Sequence, residues 1–344
     1  MRRTIVQFIL AAALLLPSAA GAEPIKLKLS FFTSDRSVAY QTAIKPFVEA
    51  INSDPRGLLE IKVYFSGALG KVQRELPQQV LDGTTDIAFI IPGQNPNQFP
   101  DNPAIELPGL FRDVREATLT YTRLVAAGAL AGYEDFFVIG AYGTQPEIIS
   151  SRKPINSLAD LKDQRIRANN TTEATALAKL GAVPVVLAFN ETSPALAGGA
   201  LDGATVPPAQ LFDVGIGRFT SNHYFLSTSV APLALMMNRK VFDALPQDAK
   251  ALILKYSGEW TAKKFIEAYE AVDKKVYDEI KADSRRSVVM PSPADAKTAQ
   301  RAFKSIIDSW AAASAHNGEL LKLTEAELAK VRADEATRAR AAVP

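Results

Sequence analysis

The chain contains no cysteine and only two histidines, His223 and His316. The lack of cysteine excludes disulfides, thiolate metal sites and cysteine nucleophiles. Two histidines this far apart in sequence do not make a histidine metal cluster, and a Ser-His-Asp triad would have to use one of them. The composition therefore predicts no bound metal and no cofactor, and packing alone has to stabilise the fold.

An excess of charge of one sign is also missing. The chain has 39 Lys and Arg residues against 37 Asp and Glu residues, and Arg2 and Arg3 belong to a segment that we expect to be removed. A protein with balanced charge lacks the basic field that a nucleic-acid partner requires. No Gly-x-Ser-x-Gly nucleophile elbow, phosphate loop or three-glycine dinucleotide fingerprint is present either.

The first 22 residues have the pattern of an export signal. Arg2 and Arg3 form a positive start, residues 5–16 form a short apolar run, and Ala20, Gly21 and Ala22 form a small-residue cleavage site. No later apolar stretch approaches the roughly 20 residues that a membrane helix needs. We expect cleavage after Ala22 and a soluble mature protein in the periplasm, with Sec export favoured over the twin-arginine route.

Short β-type runs alternate with helical segments, which predicts an α/β fold with largely parallel sheets. The predicted strands are 26–31, 60–65, 86–91, 136–142, 164–168, 183–187, 203–206, 233–238 and 287–290. The predicted helices include 39–53, 71–82, 115–134, 157–162 and 172–180. About 320 mature residues exceed what one hydrophobic core usually supports, so two lobes are expected.

Residues 246–282 carry apolar side chains at three- and four-residue spacing over an unusual length. The pattern predicts one helix of about 50 Å, which is longer than one lobe is wide and would run across both. Gly258 leaves a second interpretation open, namely two helices broken at that glycine.

Several short motifs follow one another in a characteristic order. They are GALG at 67–70, VLDGTTDIA at 80–88, ELPGLFRD at 106–113, PINSLADLK at 154–162, RIRANN at 165–170, LGAVPV at 180–185, NETSPALAGGALDG at 190–203 and FDALP at 242–246. In this order and spacing they resemble the periplasmic solute receptors of tripartite ATP-independent periplasmic (TRAP) transporters, the DctP-like family. The resemblance covers nearly all of the mature chain.

The resemblance implies a two-lobe periplasmic binding protein without enzymatic activity, with crossover strands between the lobes and the ligand in the cleft. Lobe 1 would comprise residues 23–142 and 231–272, lobe 2 would comprise residues 143–230 and 273–323, and residues 324–344 would form a peripheral tail. The hinges would lie near Gly143 and Thr144 and near Ala231 and Pro232. Such a receptor passes its ligand to a permease made of a small and a large integral membrane subunit.

Arg167 matches the arginine that clamps the ligand carboxylate in this family. At the end of a short strand, a planar guanidinium can meet a carboxylate through two parallel hydrogen bonds. Without the resemblance, an arginine in this position is more often a surface ion-pair partner. Asn169 and Asn170 follow it, and either could donate its side-chain amide to the ligand or cap the next helix.

Four positions depart from the polar, sialic-acid-type members of the family. Phe32 stands where those receptors have asparagine, and Ile91 where they have an acidic residue. Gln145 replaces a second arginine, and Val206 replaces another asparagine, although Val206 could simply end a strand before two prolines. Sugar hydroxyls would lack partners in such a cleft, so we expect a monocarboxylate with an aromatic or branched apolar body. The aromatic side chains available as cleft walls are Phe31, Phe32, Tyr142, Phe189 and Phe212.

Other functions remain open at this stage. The ligand could be a C4-dicarboxylate or a sugar acid, if a further cation such as Arg36 or Arg152 reaches the cleft. The same two-lobe shape would suit a receptor for an ATP-driven importer or a sensor kinase. A periplasmic hydrolase or lyase is disfavoured, because the chain lacks a nucleophile motif and a metal cluster.

Overall fold

The computed structural model describes the backbone of residues 23–341 and the side chains of residues 23–337. The predicted export signal at 1–22 therefore lies outside the described residues. The strands are β1 (Ile25–Ser30), β2 (Leu59–Tyr64), β3 (Ile87–Ile90), β4 (Phe136–Gly143), β5 (Ile148–Ser151), β6 (Arg165–Ala168), β7 (Val183–Val186), β8 (Gly203–Val206), β9 (Asn222–Tyr224), β10 (Pro232–Asn238) and β11 (Ser287–Val289).

The α-helices are α1 (Lys45–Asn52), α2 (Leu76–Leu81), α3 (Pro103–Glu106), α4 (Val114–Ala126), α5 (Thr171–Lys179), α6 (Phe189–Ala197), α7 (Arg239–Ala244), α8 (Gln247–Lys255), α9 (Glu259–Ala282), α10 (Pro293–Ala312) and α11 (Ala315–Ala341). A π-helical turn, Tyr40–Ile44, leads into α1, and the predicted helix at 157–162 is the 3-10 turn Leu158–Leu161. Helix α4 ends at Ala126, eight residues before the predicted end at 134, because the chain turns through Gly128 and Gly132, both with positive φ. Within residues 23–341, no helix combines the length and the apolar composition that crossing a bilayer needs.

The strands form two sheets, one in each lobe, which confirms the predicted two-lobe α/β fold. Lobe 1 contains the sheet β2-β1-β3-β10-β4, and lobe 2 contains the sheet β11-β9-β5-β8-β6-β7. Both sheets are mixed rather than largely parallel as predicted, because β10 and β5 run antiparallel to their neighbours. Sequence analysis missed β5 and β9, which are short and lack an alternating apolar pattern.

The antiparallel pairs follow from the way the chain crosses between the lobes. Strand β4 leaves lobe 1 and β10 returns to it, while β5 enters lobe 2 and β9 leaves it, so the members of each pair run in opposite directions. The two crossing segments are hydrogen-bonded to each other, from the Thr144 amide to the Ala231 carbonyl (3.2 Å) and from the Glu147 amide to the Ser229 carbonyl (2.8 Å). The predicted lobe bounds and the hinge role of these segments stay predictions.

The single long helix predicted for 246–282 is wrong, and the alternative with a break at Gly258 is correct. Gly258 has φ 60° and ψ −126°, which ends α8 and starts α9, and its amide donates to the Ile139 carbonyl of β4 at 2.8 Å. Helix α9 has 24 residues, or about 36 Å by its rise per residue. It still spans both lobes, because it packs on β4 in lobe 1 and on β11 in lobe 2.

Gly258→Ala is expected to destabilise the protein by about 1–3 kcal/mol, because a side chain with a Cβ is strained at this φ and ψ. No atom lies within 4 Å of an added Cβ, so backbone strain is the whole effect. Thermal unfolding should show a melting temperature lowered by a few degrees. Gly198→Ala is the matched control, because Gly198 has an ordinary φ of −76° and should tolerate alanine. Equal melting temperatures for both variants would contradict this account of the break.

The C-terminal segment also differs from the prediction of a peripheral tail beyond Leu323. Helix α11 packs on α3 and α4 of lobe 1, where Leu328 and Val331 are buried. The Arg332 Nε donates to a carboxylate oxygen of Glu116 at 2.8 Å. The segment was underestimated because its apolar residues are few among many Ala, Glu, Lys and Arg residues, and the few that occur face lobe 1.

Candidate functional site

Arg167 lies at the end of β6 that faces the other lobe, and its side chain is 1% exposed. Strands β7 and β8 flank β6, so the guanidinium is enclosed by backbone on both sides. Nε donates to the Leu187 carbonyl at 3.0 Å, and Nη1 donates to the Thr205 carbonyl at 3.3 Å. Nη2 donates to Asn169 Oδ1 at 2.9 Å.

The guanidinium of Arg167 is therefore held firmly but keeps unused donors. A guanidinium has five N–H groups, and these bonds occupy three of them, one on each nitrogen. One N–H remains on each terminal nitrogen, which is the number that a carboxylate can accept through two oxygens. The three bonds all go to uncharged groups, and Arg167 forms no direct ion pair within residues 23–337. The site thus holds a buried cation whose direct counter-charge is not supplied by a neighbouring side chain.

The two asparagines after Arg167 have separate roles. Asn170 caps α5, because its Oδ1 accepts from the Glu173 amide at 2.8 Å. Asn169 instead bonds Arg167, and its Nδ2 is buried without a hydrogen-bond partner among the described residues. A free donor therefore lies beside the free N–H groups of Arg167.

A small cavity of about 20 Å³ lies between the lobes, next to this cluster. Lobe 1 contributes Phe32, Thr33, Ala39, Phe89, Ile91 and Leu233 to its wall, and lobe 2 contributes Phe189, Gln210 and Asp213. Phe189 connects the cavity to the arginine, because its ring centroid is 6.0 Å from Cζ of Arg167. Space of this size suits about one water-sized group, so an organic acid needs the lobes to move apart. The wall is mostly apolar and aromatic.

The predicted site residues do not all reach this cavity. Phe32 and Ile91 line it, while Phe31 is fully buried in the core of lobe 1. Tyr142 is also fully buried in lobe 1, with its ring centroid 4.7 Å from that of Phe265. Phe32 and Ile91 therefore form part of the cavity wall, whereas Phe31 and Tyr142 lie in the core of lobe 1.

Gln145, Val206 and Phe212 lie outside the cavity wall. Gln145 Oε1 accepts a hydrogen bond from the Val114 amide at 3.0 Å. This bond directs the glutamine side chain toward the start of α4 and away from the cavity. Val206 is fully buried and pairs with Ile148, so it ends β8 within the core. Phe212 is 36% exposed and packs against the guanidinium of Arg286.

Contacts across the cleft hold the two lobes together. Gln94 of lobe 1 donates to Asn169 Oδ1 of lobe 2 at 3.4 Å. The Val38 amide, just before the first helix of lobe 1, donates to both carboxylate oxygens of Asp213 at 3.2 and 3.0 Å. Burial raises the pKa of Asp213 to about 7, although the hydrogen bond from Val38 opposes the shift. Sequence analysis missed Gln94 and Asp213, because no local signal shows which residues meet across a cleft.

Asp213→Ala is expected to speed ligand release about five- to tenfold, because it removes an inter-lobe hydrogen bond, from the Val38 amide to the Asp213 carboxyl, worth about 1–1.5 kcal/mol. Stopped-flow release of a bound acid measures the rate directly. Asp213→Asn is the matched control, since its side-chain oxygen can still accept from Val38. If the alanine variant releases the acid as slowly as the wild type does, the contact between Val38 and Asp213 does not help to keep the two lobes closed.

The two histidines have structural partners. His223 Nδ1 is 2.9 Å from Ser150 Oγ, and its Nε2 is 3.3 Å from Nη1 of Arg286. Burial and the Arg286 charge lower the pKa of His223 to about 4. A guanidinium beside the second ring nitrogen is the opposite of the carboxylate that a triad requires. His316 is bonded to Asp101 on the surface of lobe 1, at 2.8 Å.

One carboxylate cluster among the described residues has metal-like spacing, formed by Asp113, Glu116 and Glu335. Glu116 accepts hydrogen bonds from both Arg112 and Arg332. The two guanidinium groups already supply the positive charge that a metal ion would bring. We assign no metal to this cluster.

Comparison with known proteins gives consistent matches over most of the chain. Residues 29–313 match the sequence profile described as bacterial extracellular solute-binding protein, family 7. A C4-dicarboxylate-binding periplasmic protein from Rhodobacter capsulatus is 28% identical over 269 residues, which are 73% of this chain and 76% of that protein.

Two solved structures share the fold. One is a TRAP solute-binding protein from Rhodoferax ferrireducens with copurified benzoate, which has a TM-score of 0.83 and 23% identity and covers 90% of this chain and 99% of that one. The other is a marine metagenome TRAP solute-binding protein specific for aromatic acid ligands, with a TM-score of 0.82, 22% identity, and coverage of 89% and 99%. At this level of identity the superpositions establish the two-lobe architecture.

Proposed function

The chain belongs to family 7 of the bacterial extracellular solute-binding proteins, the receptors of TRAP transporters, and on that premise we propose that it binds an aromatic or branched monocarboxylate. Arg167 and Asn169 would hold the carboxylate, and Phe32, Ile91 and Phe189 would enclose the apolar body. The observation that carries the proposal is the buried guanidinium of Arg167, which among residues 23–337 has no direct ion pair and keeps two N–H groups without a partner.

A buried charge is stable only when it is paired and hydrogen-bonded. Burial lowers the pKa of Arg167, but an arginine starts so high that it stays charged at neutral pH. A ligand carboxylate would complete the pair, with one oxygen on each terminal nitrogen, and the free Asn169 amide would add a further donor. Backbone carbonyls of Leu187 and Thr205 fix the fork before the ligand arrives, which reduces the entropic cost of binding.

The chemistry of the cavity wall supports an apolar ligand body. Phe32, Phe89 and Phe189 offer ring faces and edges, worth about 0.5–1.5 kcal/mol per aromatic contact beyond burial. A sugar hydroxyl buried against this wall would cost about 1–3 kcal/mol if it found no partner. Tyr142, Gln145 and Val206 are left out of the proposed contacts, because their side chains lie in the core or are occupied elsewhere.

A C4-dicarboxylate is the second candidate, since the Rhodobacter capsulatus relative is named for that ligand. A second carboxylate would need a second cation in the cleft. Arg36 is exposed, and Arg152 is exposed with its guanidinium bonded to the Leu196 carbonyl, so neither lines the cavity. The wall chemistry therefore favours a single carboxylate.

The receptor role further implies export, an absence of catalysis and a membrane partner. We infer cleavage after Ala22, release into the periplasm, and delivery of the ligand to a small and a large membrane subunit of a TRAP permease. Ligand binding would favour the closed form by its differential affinity for that form. Incubation with benzoate tests receptor against enzyme: benzoate should raise the melting temperature and be recovered unchanged. Conversion of the acid into a product would contradict the proposal.

A further inference from the structure

The wall of the cavity between the lobes is not wholly apolar. Six of its nine residues are apolar, and the other three are Thr33, Gln210 and Asp213, which we call the polar set. Arg167 and Asn169 are not among the nine, so the polar set is distinct from the proposed carboxylate contacts. An acid whose body is entirely apolar gives these three residues nothing to bind.

Two members of the polar set lie on one turn after β8. Two prolines end β8, since proline has no amide hydrogen for the sheet, and the 3-10 turn Pro208–Gln210 follows. The Asp213 amide donates to the Gln210 carbonyl at 3.1 Å. The Ala209 amide donates to the Asp273 carboxyl of α9 at 2.7 Å. Gln210 and Asp213 therefore reach the cavity from a turn that is anchored on α9.

The polar set has unused hydrogen-bonding capacity. Gln210 is 6% exposed, and its side-chain amide has no hydrogen-bond partner among residues 23–337. Thr33 Oγ1 is buried without a partner in the same part of the chain. The Asp213 carboxyl accepts from the Val38 amide and could accept further bonds. Buried polar groups without partners cost free energy, so their place on this wall points to a ligand group that bonds with them.

The size of the cavity and the chemistry of the polar set suit a hydroxyl group. A cavity of about 20 Å³ holds one group of the size of a water molecule. A hydroxyl donates one hydrogen bond and accepts up to two. It can therefore donate to Asp213 and accept from Thr33 or Gln210.

Other ligand groups suit the polar set less well. A second carboxylate offers acceptors only and would face the Asp213 carboxyl, and two carboxylates in one buried site cannot both stay ionised. A methyl group would leave all three polar side chains without partners. An ammonium group could pair with Asp213, but it has no lone pair to accept from Thr33 or Gln210.

We propose that the ligand is an aromatic monocarboxylate with a hydroxyl group on its body, and that Thr33, Gln210 and Asp213 bind this hydroxyl. The inference rests on the proposed receptor function, in which Arg167 holds the carboxylate, and it adds the residues that select among aromatic acids. Phe189 connects the two ends of the site, because it lines the cavity and its ring centroid is 6.0 Å from Cζ of Arg167. The ring of the acid lies along Phe189 in this arrangement.

The polar set belongs to both lobes. Thr33 follows β1 in lobe 1, and Gln210 and Asp213 follow β8 in lobe 2. A hydroxyl that bonds with Thr33 and Asp213 adds a link between the lobes, beside the bond from the Val38 amide to Asp213. A hydroxylated acid should therefore leave the receptor more slowly than the same acid without the hydroxyl.

A set of five acids tests the proposal on the wild type: benzoate, 3-hydroxybenzoate, 4-hydroxybenzoate and the two corresponding methylbenzoates. The methyl group has about the size of a hydroxyl and forms no hydrogen bonds. In calorimetric titrations, the better hydroxybenzoate should bind at least about tenfold more tightly than benzoate and than its methyl counterpart. Stopped-flow release should be slower by a similar factor. Equal affinities for the hydroxy and methyl acids would overturn the proposal.

Three substitutions test the assigned residues. Thr33→Val and Gln210→Leu roughly keep the side-chain shape and remove the hydrogen-bonding atoms, and Asp213→Ala removes the carboxyl. Each should lower the ratio of the hydroxybenzoate affinity to the methylbenzoate affinity by about three- to tenfold. Both acids are measured on the same variant, so a general loss of closure in Asp213→Ala cancels in the ratio. A ratio that stays at the wild-type value in all three variants would overturn the proposal.

Ile91→Leu is the matched control, because Ile91 lines the same cavity and has no hydrogen-bonding side-chain atom. It should change both affinities alike and keep the ratio. A ratio that falls as far as in the three variants would overturn the proposal, since a change of wall shape would then be the cause.

Arg167→Lys distinguishes the hydroxyl site from the carboxylate site. If all five acids bind through Arg167 and the wild type shows no preference for a hydroxyl, the role of the polar set is overturned and the proposed function stands. If the acids bind equally well to Arg167→Lys, the proposed function itself is overturned.

Discussion

Arg167→Lys is expected to weaken benzoate binding at least tenfold while the protein stays folded. The guanidinium of Arg167 donates to Leu187, Thr205 and Asn169 and still has two N–H groups for a ligand. Lysine has one compact ammonium group and cannot make this set of bonds. The loss of one charge-assisted hydrogen bond costs about 1.5–3 kcal/mol, so the affinity should fall about 10- to 150-fold. Isothermal titration calorimetry measures the affinity, and circular dichroism checks the fold.

Arg165→Lys is the matched control for this substitution. Arg165 lies two residues earlier on β6 and forms a partly exposed ion pair with Asp202, with Nε to Oδ2 at 3.1 Å. Such pairs contribute little, so the control should bind benzoate as the wild type does. Unchanged affinity in Arg167→Lys would remove the arginine from the carboxylate site.

The second large effect concerns the class of acid. Benzoate, phenylpropenoate or a branched 2-oxo acid should bind at least about 100-fold more tightly than succinate or sialic acid, because a second carboxylate or a set of hydroxyls would be buried without partners. The aromatic wall of Phe32, Phe89 and Phe189 adds affinity only for an apolar body. A thermal-shift screen followed by calorimetry gives the ranking.

Benzamide is the matched control ligand, because it keeps the ring of benzoate and replaces the carboxylate with a neutral amide. It should bind far more weakly than benzoate if the charge of Arg167 dominates recognition. Should succinate or a sugar acid prove the best ligand, the position of the wall residues would not decide specificity. A cation such as Arg36 or Arg152 would then have to enter the cleft when the lobes close.

Local sequence patterns predicted most of the individual elements. The predicted strands at 26–31, 136–142 and 233–238 correspond to β1, β4 and β10. The prediction of one unbroken helix over 246–282 failed, although its end at 282 is right. Apolar periodicity continues through Gly258, whereas the chain breaks there with a positive φ and a hydrogen bond from the Gly258 amide to Ile139 of β4.

Of the predicted site residues, the structure brings together two from the motif at 165–170 and two of the four aligned positions, Phe32 and Ile91. Arg167 and Asn169 belong to the run at 165–170, and both lie in the candidate site. Gln145 and Val206 were assigned to the ligand site by alignment. In the structure, the Gln145 side chain is hydrogen-bonded at the start of α4, and Val206 is fully buried in the core. Position along the chain does not specify side-chain direction at the irregular ends of strands.

The sequence by itself determined the class of the protein through alternating strand and helix patterns over two lobes and one arginine in a receptor-like motif. Those features are local or compositional, so they can be read in order along the chain. The tertiary structure alone decided which groups meet across the cleft, such as Val38 with Asp213, and which backbone carbonyls enclose Arg167, namely those of Leu187 and Thr205. The physical reason is that desolvation and charge coupling depend on distances between residues far apart in sequence, and only the folded chain sets those distances.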